Sequence, residues 1–466
     1  MIILGVLFFS ISVCALIIPV NSDLTGKEDQ GIPCIGTTNT EGDILVRSNG
    51  IRETFGANGQ GIRVGVIGNG AESLRLSQQR GELGTVNVFD LGSGDEGTAM
   101  MEIIHDLAPK AELYFHAYGN NSSDFKKAVT TLADAGCQII CDDLYFFHQP
   151  FLEDGDVAQH ISSVIRDHPD LIYITVSGNF APLHYQGAWK PGLSAGPEQT
   201  FHDFGDGNNA IHMYLFSGDE VIVTLQWDDT WGKSTTDYDL FLTDPQKGEV
   251  IATSMNVQDG NSEPFEHLVY KVKGTDPERV SLSIVRNGEN TTPNTLEMFI
   301  RNISPDQVDE AVVKDPYDSI FGHAAVPEVI TVGSVGISTP FDISPDSSRG
   351  PVTIKNPEPA LRFKPDICAP TNVQVSGVGK FPVSFPGTSA AAPHVAGVIA
   401  QLWGNFPDVP RDDIKKAIYN SAVDLGSSGW DETYGYGLID AVRAFQYLSE
   451  DYKPPGQENI TNNQTL

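Results

Sequence analysis

Along most of this 466-residue chain, runs of buried-strand character alternate with segments of helical periodicity, an order that admits few folds. After the turn-rich segment Gly56-Ala-Asn-Gly-Gln-Gly61, Ile62-Arg-Val-Gly-Val-Ile67 reads as a buried strand bounded by glycines. Strand-like runs recur at 85–91, 111–116, 138–146, 171–177 and 328–335, most of them rich in β-branched or aromatic residues. Between several of them, 98–107, 123–135 and 157–167 repeat apolar residues at spacings of three and four. Strand alternating with helix predicts an α/β fold, a parallel sheet with helices on both faces.

From Phe201 to Asn302 the helical periodicity vanishes. Alternating runs such as Glu220-Val-Ile-Val-Thr-Leu-Gln-Trp227 and Asp239-Leu-Phe-Leu242 stand between turn clusters and predict an inserted all-β domain, a sandwich or jelly roll. Helical patterns return after Thr388, with 411–421 and 438–448 closing the domain. The expected organisation is a signal peptide or N-terminal anchor (1–22), an N-terminal lead (23–60), the α/β domain (61–200 and 303–449) interrupted by the β domain (201–302), and a disordered polar tail (450–466).

Lys and Arg number 29 against 61 Asp and Glu, a net charge of −32, so nucleic-acid phosphates would be repelled and a nucleic-acid partner is excluded. Such a surface suits solubility, high salt or work at low pH. Residues 1–20 are apolar apart from Ser10 and Ser12, and Val20-Asn-Ser22 offers small side chains for cleavage, which reads as a secretory leader. An uncleaved span is the alternative, because about 20 apolar residues can cross a bilayer; membrane attachment is expected in that case alone. Asn-x-Ser/Thr triplets at Asn120, Asn121, Asn290, Asn302, Asn459 and Asn463 agree with a secreted or cell-surface glycoprotein. Besides Cys14 in the leader, Cys34, Cys137, Cys141 and Cys368 form no disulfide-dense pattern, and at most one or two bridges are expected.

The segment Phe385-Pro-Gly-Thr-Ser-Ala-Ala-Ala-Pro-His-Val-Ala-Gly397 is suited to present the Ser389 hydroxyl at a helix start. Pro386-Gly387 make a turn, Pro393 is expected within the first helical turn, and the small residues let the helix enter a crowded core. Free N–H groups at that helix start would face an oxyanion forming near Ser389.

Gly387 to Gly397 resembles the nucleophile motif of the subtilisin-like serine peptidases, the subtilases. Ile330-Thr-Val-Gly-Ser-Val335, Ser347-Ser-Arg-Gly-Pro351, Lys364-Pro-Asp-Ile-Cys-Ala-Pro370 and Tyr434-Gly-Tyr-Gly-Leu-Ile-Asp440 are similar to further segments of that family, so the resemblance runs from about Gly61 to Leu448 outside the β insert. It implies a secreted serine endopeptidase acting on protein or peptide substrates through Ser389, with no cofactor required for the chemistry. Ser177-Gly-Asn179 follows a buried strand as the family's oxyanion segment does, which makes Asn179 the side-chain donor. The lead between leader and first strand is shorter than the folding prodomain of many secreted subtilases.

The base departs from the family. Most subtilases have His in a His-Gly-Thr setting; here Asp95-Glu-Gly-Thr-Ala-Met100 puts Glu96 in that place. The family's first acid is expected after the strand ending at Ile67, where Gly68-Asn69-Gly70 stands instead. His105 and His394 read as structural, and His116, His148 and His184 have no spacing that singles them out. A Glu base has a precedent in the related sedolisins, where an Asp follows four residues later; that position is Met100 here. Asp95 and the strand-end pair Asp142-Asp143 are the substitutes, and alternation along a strand turns one of the pair toward the cleft. Asp143 is the choice: a carboxyl beside Glu96 would share a proton with it and yield a base useful below neutrality. Loss of the usual His and acid also leaves open a catalytically inactive relative that binds protein or glycan. In the insert, Asp228-Asp229 and Asp237-Tyr-Asp239 could supply oxygen ligands for structural calcium, although a solvated acidic surface fits their spacing as well.

Overall fold

The computed structural model describes residues 36–288 and 293–451. The leader at 1–22, Cys34, the triplets at Asn290, Asn459 and Asn463, and the tail from 452 lie outside the described residues. In the lead, Thr40 caps α1 (Glu41–Leu45), its Oγ1 accepting from the Gly42 N–H, and α2 (Ser48–Phe55) follows. Then come β1 (Arg63–Gly68), α3 (Leu74–Arg80), β2 (Val86–Asp90), α4 (Glu96–Leu107), β3 (Glu112–Ala117), α5 (Ser122–Asp134), β4 (Ile139–Asp142), α6 (Asp156–Asp167) and β5 (Ile172–Val176).

An antiparallel region follows, made of β6 (His184–Ala188), β7 (Pro191–Gly196), β8 (Gln199–His202), β9 (Ile211–Leu215), β10 (Glu220–Trp227), β11 (Asp237–Asp244), β12 (Glu249–Ser254), β13 (Phe265–Lys271), β14 (Glu278–Asn287) and β15 (Thr295–Arg301). It forms two sheets, ordered β13-β10-β15-β6 and β12-β11-β14-β8-β7 with β9 also on β14. The chain returns with β16 (Ile330–Val335), the hairpin β17 (Val352–Ile354) and β18 (Ala360–Arg362), β19 (Ile367–Pro370), α7 (Thr388–Asn405), α8 (Arg411–Ser421) and α9 (Ala441–Asp451).

The α/β expectation holds. Seven strands, in the order β19-β16-β5-β4-β1-β3-β2, pair in parallel throughout. Leaving β1 the chain fills one side with β2 and β3, then crosses to β4 on the other. The carboxyl ends of β1 and β4 therefore flank the point where connections diverge, the crevice where open α/β sheets bind ligands.

Several sequence expectations need correction. The antiparallel pairing starts with β6, before Phe201, because β6 pairs with β15; its sequence, His-Tyr-Gln-Gly-Ala, lacks the alternation that marks a strand. The run at 138–146 ends as a strand at Asp142, where Asp142-Asp143 turn the chain out of the sheet. α9 begins at Ala441 rather than Leu438, since Leu438 bridges to Val423 and Cys368 instead. Pro393 sits in the second turn of α7, not the first. Its missing N–H leaves the Ser389 carbonyl without its i+4 donor, yet the helix persists because tertiary packing encloses it. Every residue from Thr388 to Trp403 is buried.

The antiparallel region has its own core around Trp227, Tyr238, Leu240 and Leu282. It joins the α/β part through an aromatic cluster of Phe147, Phe151, Phe299 and Phe321. Among the described residues no helix is long and apolar enough to cross a membrane.

Candidate active site

Loops after β1 and β4 meet the first turns of α4 and α7 around a cavity of about 370 Å³ whose lining includes Asn69, Glu96, Asp143, Tyr145, His148 and Ser389. Ser389 is the second residue of α7 and 8% exposed, enough to meet a reactant from the cavity. Before the helix, Gly387 adopts φ 81°, and a Cβ there would lie 2.9 Å from Asn179 Nδ2. Only glycine permits both the turn and this approach.

Asn179 follows β5 and reaches the same helix start. Its Oδ1 accepts from Thr388 N (2.9 Å) and Thr388 Oγ1 (3.1 Å). The acceptor end of the amide is thus fixed on α7, and the donor end, Nδ2, is left for another acceptor. With the first-turn N–H groups of α7, it forms a donor pair next to Ser389.

Glu96 opens α4, and its carboxylate faces Ser389 and Asp143, both near enough to lower its proton affinity. Asn69 braces it from β1's end: Asn69 Nδ2 donates to Glu96 Oε2 at 3.4 Å, and the Glu96 N–H donates to Asn69 Oδ1 at 3.3 Å. Burial raises Glu96 above its ordinary value of 4.5, while the hydrogen bonds from Asp143 and Ser389 oppose that rise. Asp143 is 6% exposed, and burial, then the charge of Glu96, holds it well above 3.8. Both carboxyls are raised, and Asp143 the more strongly, so it is the one better placed to keep a proton held between them.

Register explains why Asp143 is available. Ile67 pairs with Asp142, so Asp143 leaves β4 level with Gly68. Asp142 turns the other way into the protein and accepts from Thr175 Oγ1 (2.9 Å), His323 Nε2 (3.1 Å) and Leu144 N (3.0 Å). Asp95 binds the Ser73 N–H and hydroxyl at the start of α3, at 2.6 and 3.0 Å. Of the candidate acids, the structure brings only Asp143 to Glu96.

Apart from His148, the histidines considered lie elsewhere or are otherwise engaged. His105 is buried in the last turn of α4, and burial lowers it from 6.5. His394 is enclosed between Ala390 O (2.7 Å) and Thr40 Oγ1 (3.2 Å), and burial pushes it down to about 4. His116 bonds Ala117 O at 2.7 Å. His184 is buried against Glu297, and His148 stands exposed at the cavity rim.

In the sequence Asn69 stands only in the segment that lacks an acid, and nothing there marks a role for Thr388 or Tyr145. The signal for Asn69 was its place at the carboxyl end of a central strand.

The carboxylates considered for calcium are engaged with internal donors, except that Asp237 Oδ1 is buried without a hydrogen-bond partner. Asp229 Oδ2 accepts from Ser234 Oγ (2.9 Å), Thr235 N (3.0 Å) and Thr236 N (2.9 Å), and Asn287 Nδ2 joins Asp237 (3.1 Å) and Asp239 (2.9 Å). Among the described residues no group of three or more His, Cys, Asp or Glu is arranged to hold a metal ion, so these four residues do not fit the group expected of them. Cys137, Cys141 and Cys368 are buried and free.

Residues 223–437 match the Subtilase family. That match spans a little less than half of the chain. The matched span contains Ser389 and starts within β10; Glu96, Asp143 and Asn179 precede it. Fervidolysin of Fervidobacterium pennivorans is 45% identical over 62 residues, 13% of this chain and 9% of that protein. Subtilisin-like protease SBT4.8 of Arabidopsis thaliana is 24% identical over 334 residues, 62% of this chain and 44% of the relative. The matches thus cover less than half the length of either relative. Among solved structures, the Clostridium perfringens CspB protease is similar in fold, with a TM-score of 0.62 at 15% identity over 90% of this chain and 99% of that one.

Proposed function

We propose that the protein is a secreted serine endopeptidase that hydrolyses peptide bonds through Ser389 with Glu96 as its base. The observation that carries this reading is the meeting of Ser389, Glu96 and Asp143 in one cavity, with Asn179 held at the same helix start as Ser389. Glu96 takes the Ser389 proton as Oγ attacks the scissile carbonyl, then gives it to the departing amine. Asp143 holds the Glu96 carboxylate in place with its own proton. Asn179 Nδ2 and the Ser389 N–H receive the oxyanion of the tetrahedral intermediate.

A carboxylate replaces imidazole at a chemical cost: at neutral pH an ordinary Glu is too weak a base. Burial raises Glu96 and so brings it nearer the proton affinity a general base needs. The match improves below neutrality, which supports an acid optimum and a sedolisin-like use of Glu in place of His. Supporting the peptidase reading are the family match around Ser389 and the protease names of the relatives.

The test is an assay of wild type, Ser389→Ala and Glu96→Gln against a mixed peptide library from pH 3 to pH 8, with fluorophosphonate labelling at each pH. Wild type is expected to cleave and to label at Ser389, and both variants to lose cleavage. Unchanged hydrolysis in Ser389→Ala overturns the mechanism, and a wild type that neither cleaves nor labels at any pH identifies an inactive binding protein.

A further inference from the structure

A second cavity, of about 440 Å³, adjoins the first where the antiparallel region meets the loop after β4. Its lining includes Tyr145, Phe147, His148, Phe265, His267 and Arg301, and Tyr145 and His148 line the Ser389 cavity as well. No Asp or Glu lines it. In a chain of net charge −32, this aromatic pocket is unusual in that its one permanent charge is the Arg301 guanidinium, with two imidazoles beside it.

Arg301 ends β15 and lays its guanidinium carbon 3.6 Å from the centre of the Phe147 ring. Its Nη2 makes one long hydrogen bond, 3.4 Å, to Thr224 Oγ1, which also bonds His267 Nδ1 at 3.1 Å. Arg301 Nε is buried without a partner. Burial lowers the guanidinium to about 10, with only Tyr145 opposing the shift and no carboxylate among the causes. Burial, then the charges of Arg301 and His148, lowers His267 from 6.5. A half-buried cation without a counter-charge is costly, and a bound anion would offset that cost. The planar fork of Arg fits a carboxylate best, since it can donate two parallel hydrogen bonds.

We infer that this cavity is a subsite for a peptide carboxylate, gripped by Arg301 and supported by His267 and His148, and that it selects acidic substrates for cleavage at Ser389. The inference rests on the peptidase reading above and names its substrate class. The carboxylate belongs either to an Asp or Glu side chain near the cleaved bond or to a free C-terminus.

Two matched pairs of fluorogenic peptides separate these sources. One pair, blocked at both ends, differs only by Glu against Gln; the other, without acidic side chains, differs only by a free or amidated C-terminus. In wild type, kcat/KM is expected to favour the carboxylate member of one pair by at least about 30-fold, the scale of a desolvated charge pair. Arg301→Gln brings that ratio near one, and Arg301→Glu inverts it. Arg301→Lys, which keeps the charge and loses the fork, gives an intermediate ratio and serves where Arg301→Gln does not fold.

Wild-type ratios near one in both pairs, or a preference that survives Arg301→Gln, overturn the proposal. If no peptide is cleaved, calorimetric titration of the same pairs into wild type and Arg301→Gln decides. Arg301-dependent binding of the carboxylate member keeps the subsite and removes the peptidase reading, whereas equal binding of both members overturns the subsite. Cleavage without an Arg301-dependent preference keeps the peptidase and removes the subsite.

Discussion

Asp143 stands against the space left by Gly68: a Cβ built on Gly68 would lie 3.6 Å from Asp143 Oδ1 and 3.3 Å from the Gly97 backbone. The position where subtilases are expected to carry their first acid is thus bare, and a carboxyl from the neighbouring strand points to the same place. Two strands paired in parallel at Ile67 and Asp142 make this exchange geometrically simple.

Restoring an acid by Gly68→Asp crowds three carboxyls into one buried corner. Like charges there oppose ionisation, so the acid limb of the pH–rate profile moves upward and kcat/KM below pH 6 falls by at least about tenfold, as a shift of one pKa unit implies. An unchanged profile would separate Gly68 from the site.

The pH dependence of kcat/KM is expected to be bell-shaped. Its acid limb reports protonation of Glu96, above 4.5, and its alkaline limb reports loss of the Asp143 proton, whose affinity burial raises well above 3.8. Asp143→Asn keeps an N–H donor toward Glu96 but has no proton to lose. It abolishes the alkaline limb, with kcat reduced by roughly 10²-fold or less, the low end for a disturbed acid–base pair. Persistence of that limb in Asp143→Asn would assign it to another group.

Asn179→Asp tests the oxyanion donor while retaining an acceptor for Thr388. Losing one such donor costs about 10²–10³ in kcat, and KM should change little because the interaction arises in the transition state. A change in KM alone would make Asn179 a substrate-positioning group.

Stability is expected to decline between pH 6.5 and 8. Burial holds Asp106 up at about 8 and Glu266 at about 7, so the folded chain keeps protons that the unfolded chain has released. Unfolding then releases protons, and a rise in pH favours it by up to about 1.4 kcal/mol per pH unit for each such group. His184, His202 and His394, pushed down to about 4 from 6.5, are neutral in the folded chain across that range, and in the unfolded chain they lose their last protons as pH rises above 6.5. As pH falls from 6.5 toward 4 they act in the opposite sense, because the unfolded chain binds protons they refuse. Urea unfolding across the range should flatten between pH 6.5 and 8 in Asp106→Asn; an unaltered slope would clear Asp106.

Local patterns carried the legible part of the site. A glycine turn before small helical residues announces the Ser389 helix, and a Gly-Asn pair after a buried strand announces Asn179. Glu96 was visible through its position in a familiar segment, and the alternation of strand side chains narrowed Asp142 and Asp143 to one. Asn69 and Arg301 were not visible. Asn69 acts by reaching from β1 to α4, and Arg301 comes from a strand far along the chain whose place beside the loop after β4 depends on the Phe147–Phe299 packing. The early start of the antiparallel region was hidden for a similar reason: β6 becomes a strand through its partner β15, not through its own sequence.

If Ser389 cuts peptides as proposed, the enclosure of α7 governs how the protein ages in its own company. A peptidase at working concentration meets its own chains as substrate, and cutting reaches whatever opens most often. Exposed turns of the antiparallel region open with little loss of buried contact, while the helix carrying Ser389 can open only with the main core. Self-digestion would then trim the periphery first, and Ser389 would be lost only when the whole fold opens.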